Sequence, residues 1–144
     1  DGIPAEPCAV LDAGLAAADI VTCATTAREP VVRGAQVGPG THVDLVGAFT
    51  PEMRECDDAL IAGSSVFVDT RAGALREAGD LVHAIDGGAI TRGDVRAELA
   101  DLCTGGHAGR GSPDEITVFK SVGTALEDLC AARLVYERVT TPAR

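Results

Sequence analysis

The sequence predicts an α/β fold with a largely parallel sheet, because short strand-like runs alternate with helical patterns along the chain. The strand-like runs are rich in Val, Ile and Thr, and the stretches between them carry apolar residues at helical spacing. Apolar residues make up 46% of the 144 residues but aromatic residues only 3%, so we expect a core of Ala, Val, Leu and Ile. A chain of this length is large enough for one domain with a real core.

The elements of the N-terminal third follow in order. Residues 8–18 are rich in alanine and predict a short helix. Residues 20–26 (IVTCATT) predict the first strand, because β-branched residues favour extended backbone. Prolines and glycines predict a loop over residues 27–40, and residues 42–49 (HVDLVGAF) predict the second strand, closed by Thr50 and Pro51.

The middle of the chain continues the alternation. We expect a polar helix over residues 52–62 and a third strand over residues 65–70 (SVFVDT). A further helix is expected from residue 72 to residue 83, and another over residues 93–103. The glycines of residues 105–111 (GGHAGRG) predict a flexible loop.

The segment that follows carries the most informative pattern. A strand over residues 116–120 passes through Ser121, Val122 and Gly123 into a long amphipathic helix that reaches Arg138. Such a turn is expected to leave free backbone N–H groups at the start of a helix, where a ligand can bind. The turn lacks the pattern G-x-G-x-x-G, so it does not predict a phosphate site.

Charge and hydropathy exclude several function classes. The net charge is −10, whereas nucleic acids and anionic membranes require clustered Lys and Arg. No apolar run approaches the roughly 18 to 20 residues of a membrane span, and the N-terminus lacks the basic and apolar parts of a signal peptide. We therefore expect a cytoplasmic protein with neither a nucleic-acid nor a membrane partner. The first residue is not Met, and we expect the chain to be part of a longer polypeptide.

The cysteines and histidines predict neither a disulfide framework nor a metal site. The five cysteines are odd in number and form no C-x-x-C pattern, so reduced thiols are expected. His42 and His83 have no metal-ligand spacing with any Cys, Asp or Glu, and His107 is expected to be a loop residue.

Three predicted strands end in small or polar turns, at residues 23–26 (CATT), 46–49 (VGAF) and 120–123 (KSVG). In parallel sheets, ligands bind across the carboxyl ends of the strands. Small residues there let a flat ligand approach the backbone, and hydroxyl groups supply hydrogen bonds. The three turns therefore suit the nicotinamide half of a dinucleotide site.

These segments, in this order, resemble the ornithine cyclodeaminase/mu-crystallin family from about residue 18 to residue 138. The matching stretches are ADIVTCATTAREPVV, GTHVDLVGAFTPEMRECDD, VFVDTRAGALREAGD and DEITVFKSVGTALEDLCAARLVYER. The resemblance implies a Rossmann-like domain that binds NADH or NADPH, and a second domain that binds substrate and dimerises. Residues 1–120 would then form part of the dinucleotide-binding domain. Residues 121–144 would form a C-terminal helix and tail that return towards the second domain.

The resemblance also implies site residues, which are Cys23, Ala24, Thr25, Val46, Gly47, Ala48 and Ser121 for the cofactor and Phe49, Thr50, Val122 and Gly123 for the substrate. Ordinary structural roles compete with these assignments: a threonine at a strand end, a tightly packed strand over residues 46–48, and a helix N-cap at Ser121. Lys120, the only lysine, is expected to pair with Asp114 or Glu115 rather than to act in catalysis.

Other functional parts of the family are expected before residue 1. These parts are the first βαβ unit with its phosphate turn, the residue that selects NAD or NADP, and the basic residues that bind the substrate carboxylate. The catalytic residues therefore stay unknown, and the 144 residues alone are expected to be inactive.

Phe49 indicates which activity of the family to expect. The cyclodeaminase has an aspartate acid/base at this position, and a phenyl ring cannot transfer protons. The form GAFTPEMRE is similar to that of cyclic imine reductases. It implies NAD(P)H-dependent reduction of pyrroline-2-carboxylate or piperideine-2-carboxylate to the cyclic amino acid by a homodimer. An ornithine cyclodeaminase-type lyase, and a non-enzymatic protein that binds NADPH and a small ligand as mu-crystallin does, stay open as alternatives.

Overall fold

A computed structural model describes residue 2 and residues 4–140, and in these residues five parallel strands form one sheet. The strands are β1 (Ile20–Cys23), β2 (His42–Leu45), β3 (Ser65–Val68), β4 (Val95–Glu98) and β5 (Thr117–Lys120), and their spatial order is β1-β2-β5-β3-β4. The α-helices are α1 (Leu11–Ala17), α2 (Asp58–Ala62), α3 (Arg71–Glu77), α4 (Gly79–Asp86), α5 (Leu99–Thr104) and α6 (Ala125–Thr140). The predicted α/β fold with a parallel sheet is confirmed.

The register aligns the carboxyl ends of four strands. Leu45 at the end of β2 lies opposite Cys23 of β1 on one side and Lys120 of β5 on the other. Lys120 in turn lies opposite Val68, the last residue of β3. The turns that follow these strands therefore leave the sheet at the same level.

One face of the sheet carries the core. Alternate residues of β1 and β2, such as Val21 and Val43, point to this face, as expected for extended strands. They share a buried cluster with residues of α2 and α4, including Leu60 and Leu81. The cluster consists mainly of Val, Leu, Ile and Ala, as the composition predicts. On the opposite face the side chain of Ile20 is 68% exposed.

The structure corrects the prediction for residues 93–103. Residues 95–98 form strand β4, and α5 begins only at Leu99. In β4, Val95 and Ala97 are buried and Arg96 is exposed, which is the alternation of a strand. Four residues are too few for this period to stand out beside the helical pattern that follows them, and pairing with β3 decides the outcome.

The structure also shortens the predicted helix over residues 52–62. Helix α2 begins at Asp58, where the side chain of Asp57 accepts a hydrogen bond from the backbone N–H of Leu60. The N–H groups of Glu55 and Cys56 donate instead to the carboxylate of Asp80, so they are not available to a helix.

The predicted helix over residues 72–83 is divided into α3 and α4 at Ala78. The backbone of Gly79 lies against residues 48–53, because its N–H donates to the Ala48 carbonyl at 3.1 Å. A Cβ atom at this position would lie 1.9 Å from the Met53 carbonyl oxygen, so the close approach requires glycine.

Helix α6 buries none of its residues within the described part of the chain. Its exposed apolar side chains are Leu126, Leu129, Leu134, Val135, Tyr136 and Val139. Among the described helices, none has the length and apolar character needed to span a bilayer.

Candidate functional site

The turns after β1, β2 and β5 lie side by side at the carboxyl edge of the sheet, because these three strands are neighbours in register. The structure thus brings together the three segments that the sequence singles out, residues 23–26, 46–49 and 120–123. This edge is where parallel sheets bind ligands.

A cleft of about 260 Å³ opens between the first two turns. Its lining residues are Ala24, Thr25, Thr26, Val46, Gly47 and Phe49. The ring of Phe49 is 47% exposed and so can contact a ligand. The walls are mainly apolar with two hydroxyl groups, and none of the six side chains is titratable.

Cys23 and Ala48, two of the predicted cofactor residues, are buried beneath the turns rather than exposed in the cleft. Burial, followed by the negative charge of Glu55, raises the pKa of the Cys23 thiol to about 11. Such a thiol stays protonated at neutral pH and is not a nucleophile. Ala48 has a φ of +47°, a left-handed conformation that is rare for a residue with a Cβ.

The turns after β1 and β2 approach each other closely at Gly47. A Cβ atom on Gly47 would lie 2.2 Å from the Thr25 carbonyl oxygen and 2.3 Å from Oε1 of Glu55. Only a glycine fits between these two groups.

Glu55 holds the turn after β1 from inside the protein. Its Oε1 atom accepts hydrogen bonds from the backbone N–H of Thr25 at 2.6 Å and from the Thr25 hydroxyl at 2.8 Å. The side chain of Glu55 is fully buried, and its second oxygen, Oε2, has no hydrogen-bond partner among the residues that the structure describes. The conformation of Thr25 in the cleft therefore depends on a residue that the cleft does not expose.

Lys120 and Asp80 hold the turn after β2. The ammonium group of Lys120 donates to the carbonyl oxygen of Leu45 at 3.2 Å and to that of Gly47. It lies 3.4 Å from Oδ2 of Asp80, whose other oxygen accepts from the backbone N–H groups of residues 55 and 56. The prediction that Lys120 pairs with Asp114 or Glu115 is wrong, because its side chain points into the core and is fully buried.

The turn after β5 does not offer free N–H groups. Oδ2 of Asp69, the residue after β3, accepts from the N–H groups of Val122 and Gly123 at 2.8 Å each. The N–H of Ser121 donates to the Leu45 carbonyl at 3.1 Å. The expectation of free donors here is wrong, because a neighbouring strand end supplies a carboxylate that occupies them.

Ser121 is also not the N-cap of α6, since the helix begins at Ala125. The hydroxyl of Thr124 accepts from the N–H of Glu127 at 3.3 Å, and the Glu127 side chain accepts from the N–H of Thr124 at 3.2 Å. This reciprocal pair is a capping box. None of the predicted site residues Ser121, Val122, Gly123 and Thr50 is among those that line the cleft.

Sequence reasoning misses the four buried charged residues that hold the turns, which are Glu55, Asp69, Asp80 and Lys120. Two of them leave a signal. Lys120, the only lysine, ends the mainly apolar strand β5, and Asp69 directly follows β3. A charged side chain next to a buried strand needs a partner. Glu55 and Asp80 leave none: Glu55 lies in a polar stretch, and Asp80 lies near the start of a helix, where an acidic residue is common. No group of three potential metal ligands occurs in the described residues.

Comparison with known proteins adds to this geometry. The sequence profile of the ornithine cyclodeaminase/mu-crystallin family matches residues 2–142. The chain is 51% identical over 137 residues to a Δ1-pyrroline-2-carboxylate reductase of Paracoccus denitrificans, covering 94% of this chain and 43% of the relative. It is 38% identical over 130 residues to the mouse ketimine reductase mu-crystallin, covering 90% of this chain and 39% of the relative.

A solved structure of Thermococcus litoralis Δ1-pyrroline-2-carboxylate reductase in complex with NADH and L-proline superposes with a TM-score of 0.85 at 42% identity. The match covers 88% of this chain and 39% of that chain. The chain thus spans less than half the length of the proteins that it resembles.

Proposed function

Because the chain belongs to the ornithine cyclodeaminase/mu-crystallin family, we propose that its protein reduces a small cyclic imino acid with NADH or NADPH. The imino acid is of the pyrroline-2-carboxylate or piperideine-2-carboxylate type, and the product is the cyclic amino acid. The observation that carries the proposal is the cleft beside Phe49, at the carboxyl ends of β1 and β2, where no acidic side chain lines the wall. Identity of 51% to a reductase supports it.

The cleft fits the nicotinamide end of the cofactor. Thr25 supplies a hydroxyl, Gly47 leaves its backbone accessible, and Val46 contributes an apolar wall. The cofactor, when bound, supplies the hydride. The residues of this chain orient it through the turns held by Glu55 and Lys120, and the ring of Phe49 keeps water from the side where the substrate enters. The proton for the imine nitrogen must come from a group outside the cleft lining, because that lining has no titratable side chain.

The test uses the full product of the gene that encodes this chain. With NADPH or NADH and pyrroline-2-carboxylate, we expect loss of the reduced-nicotinamide absorbance at a rate that depends on the imino acid. The same assay with piperideine-2-carboxylate compares the two ring sizes. Absence of any absorbance loss would contradict the proposal.

The alternatives give different results with the same protein. Ornithine-dependent release of ammonia would indicate the lyase, which needs a proton-transferring group where Phe49 stands. Dinucleotide binding without turnover of either substrate would indicate a binding protein of the mu-crystallin type.

We also propose that the protein is a cytoplasmic homodimer in which α6 packs against a second domain that carries substrate residues. The exposed apolar side chains of α6 support this arrangement, because a helix with such a surface is normally covered. Light scattering coupled to size exclusion should give twice the mass of one full-length chain. A monomer at micromolar concentration would contradict the dimer.

A further inference from the structure

Glu55, Asp80 and Lys120 form a buried ionic cluster behind the cleft, and each side chain is fully buried. Lys120 and Asp80 form an ion pair at 3.4 Å. None of the ion pairs in the described residues includes Glu55. Two carboxylates and one ammonium leave a formal excess of one negative charge in the cluster.

The excess charge lies directly behind the cleft wall. Oε1 of Glu55 bonds both the N–H and the hydroxyl of Thr25, and it would lie 2.3 Å from a Cβ on Gly47. Within the described residues Oε2 has no donor, so only one oxygen of the Glu55 carboxylate receives hydrogen bonds. A buried charge is weakly screened, so its potential extends into the cleft.

The pKa of Cys23, which ends β1 below the cleft, reflects the same excess of negative charge. After burial, the negative charges of Glu55, Asp80 and Asp44 raise its pKa in that order, and the opposing effect of the positive charge of Lys120 is the smallest of the contributions. The carboxylates therefore outweigh the ammonium at the base of the cleft.

The hydrogen bond to Glu55 also fixes the direction of the Thr25 hydroxyl. Its hydrogen points inward to Oε1, so the oxygen presents lone pairs to the cleft. One of them accepts from the N–H of Ala27 at 3.3 Å. A ligand must therefore offer a donor to Thr25, such as the amide NH₂ of a carboxamide or a ribose hydroxyl.

We propose that Glu55 makes this cleft prefer the oxidised, positively charged nicotinamide ring to the reduced, neutral ring. The inference rests on the proposed function. In imine reduction a C–H bond of the reduced ring breaks, a C–H bond forms on the imine carbon, and the imine nitrogen takes a proton. The two electrons leave with the hydride, so positive charge develops at the ring, where the negative potential of Glu55 favours it. Glu55 acts behind Thr25 and Gly47 and is a positioning residue.

The experiment measures dissociation constants of the oxidised and the reduced dinucleotide for the full gene product by calorimetry. In Glu55→Gln, the oxidised form should lose about ten-fold more affinity than the reduced form, equivalent to about 1.4 kcal/mol. Glu55→Asp keeps the charge and should keep the ratio of the two constants near that of the wild type. Glu29→Gln removes an exposed charge from the same turn region and should leave the ratio unchanged, because solvent and salt screen it.

Equal weakening of both forms in Glu55→Gln would show a purely structural role and overturn the inference. If that variant does not fold, the wild type still tests the inference, which requires the oxidised form to bind at least as tightly as the reduced form. Tighter binding of the reduced form would overturn it. If the wild type binds neither form, the proposed function fails too, whereas binding of both with an unchanged ratio in Glu55→Gln refutes only this inference.

Discussion

At the scale of single residues, Lys120 shows how a buried charge organises the candidate site. Removing an ammonium from water is costly unless oxygens replace the solvent. Lys120 contacts the carboxylate of Asp80, the carbonyl oxygen of Leu45 at the end of β2 and that of Gly47 in the turn after it. The cost of burial thus fixes that turn relative to β5.

Lys120→Met should destabilise the protein by about 3–5 kcal/mol, because it leaves the buried carboxylate of Asp80 without its cation. Urea unfolding followed by circular dichroism measures the change. Arg133→Met, at an exposed ion pair on α6, is the control and should cost less than about 0.5 kcal/mol. A loss as small as that of the control in Lys120→Met would show that the ion pair contributes nothing.

Gly47→Ala should weaken dinucleotide binding and destabilise the fold by about 1–3 kcal/mol, because the new methyl group would overlap the Thr25 carbonyl and Glu55. Calorimetry and urea unfolding of the full gene product measure the two effects. Gly93→Ala is the matched control, since the nearest atom to its Cβ is 3.6 Å away. Unchanged affinity in Gly47→Ala would mean that the contact between the turns does not shape the cleft.

At the scale of elements, the parallel pairing of β1, β2 and β5 assembles the site, and side chains between elements lock it. His42 in β2 contributes to this pairing, since its Nδ1 lies 2.8 Å from the Thr117 hydroxyl of β5. Burial, assisted by the positive charge of Arg110 and opposed by Asp44, lowers the pKa of His42 below its ordinary value of 6.5. The folded protein therefore keeps this histidine neutral at pH values where the unfolded chain is protonated.

We expect His42 to make the protein acid-sensitive. The unfolded chain binds a proton near pH 6.5, and the folded protein binds it only at lower pH. The contribution of His42 is therefore fully present above pH 6.5 and is lost as the pH falls through the lower folded-state pKa. Urea unfolding across this range should show the wild type losing more stability on acidification than His42→Gln. Parallel pH profiles for the two proteins would contradict the shift.

At the scale of the whole molecule, the chain has one well-covered sheet face and a C-terminal helix with no buried residue in the described structure. The cysteine side chains divide between the core and the surface. Cys23 and Cys56 lie in the core, while Cys8, Cys103 and Cys130 are exposed. Burial raises the pKa of both core thiols, so they combine low access with low thiolate content.

Thiol labelling of the 144 residues should modify three cysteines in the folded state and all five after denaturation, in line with their exposure. Mass spectrometry after proteolytic digestion identifies the labelled cysteines. Fast native labelling of Cys23 would show that the edge of the sheet opens readily.

The 144 residues alone should bind dinucleotide only weakly, because they contain no G-x-G-x-x-G turn for the phosphates, and the cleft that we propose for the nicotinamide is only one end of such a site. Calorimetry with NADPH measures this directly, and the full gene product is the comparison. Micromolar affinity of the 144 residues for NADPH would contradict the prediction that the phosphate-binding part of the site lies outside them.

The α/β class and the turns at residues 23–26, 46–49 and 120–123 could be predicted from the sequence, because strand runs and small polar turns are local patterns. Strand β4 could not be predicted in this way, because its four residues adjoin a helical pattern and form a strand only through pairing with β3. Phe49 lines the cleft, and both its place in the turn after a predicted strand and the family resemblance pointed to that position.

The contacts that hold these turns come from residues far apart in the sequence and could not be predicted from it. Thr25 and Glu55 are 30 positions apart, and Lys120 and Leu45 are 75 apart. A local pattern cannot identify such partners, because packing of the helices against the sheet selects them. The same packing buries Glu55 behind the cleft. The low dielectric there strengthens the electrostatic effect on the nicotinamide ring that we propose for its carboxylate.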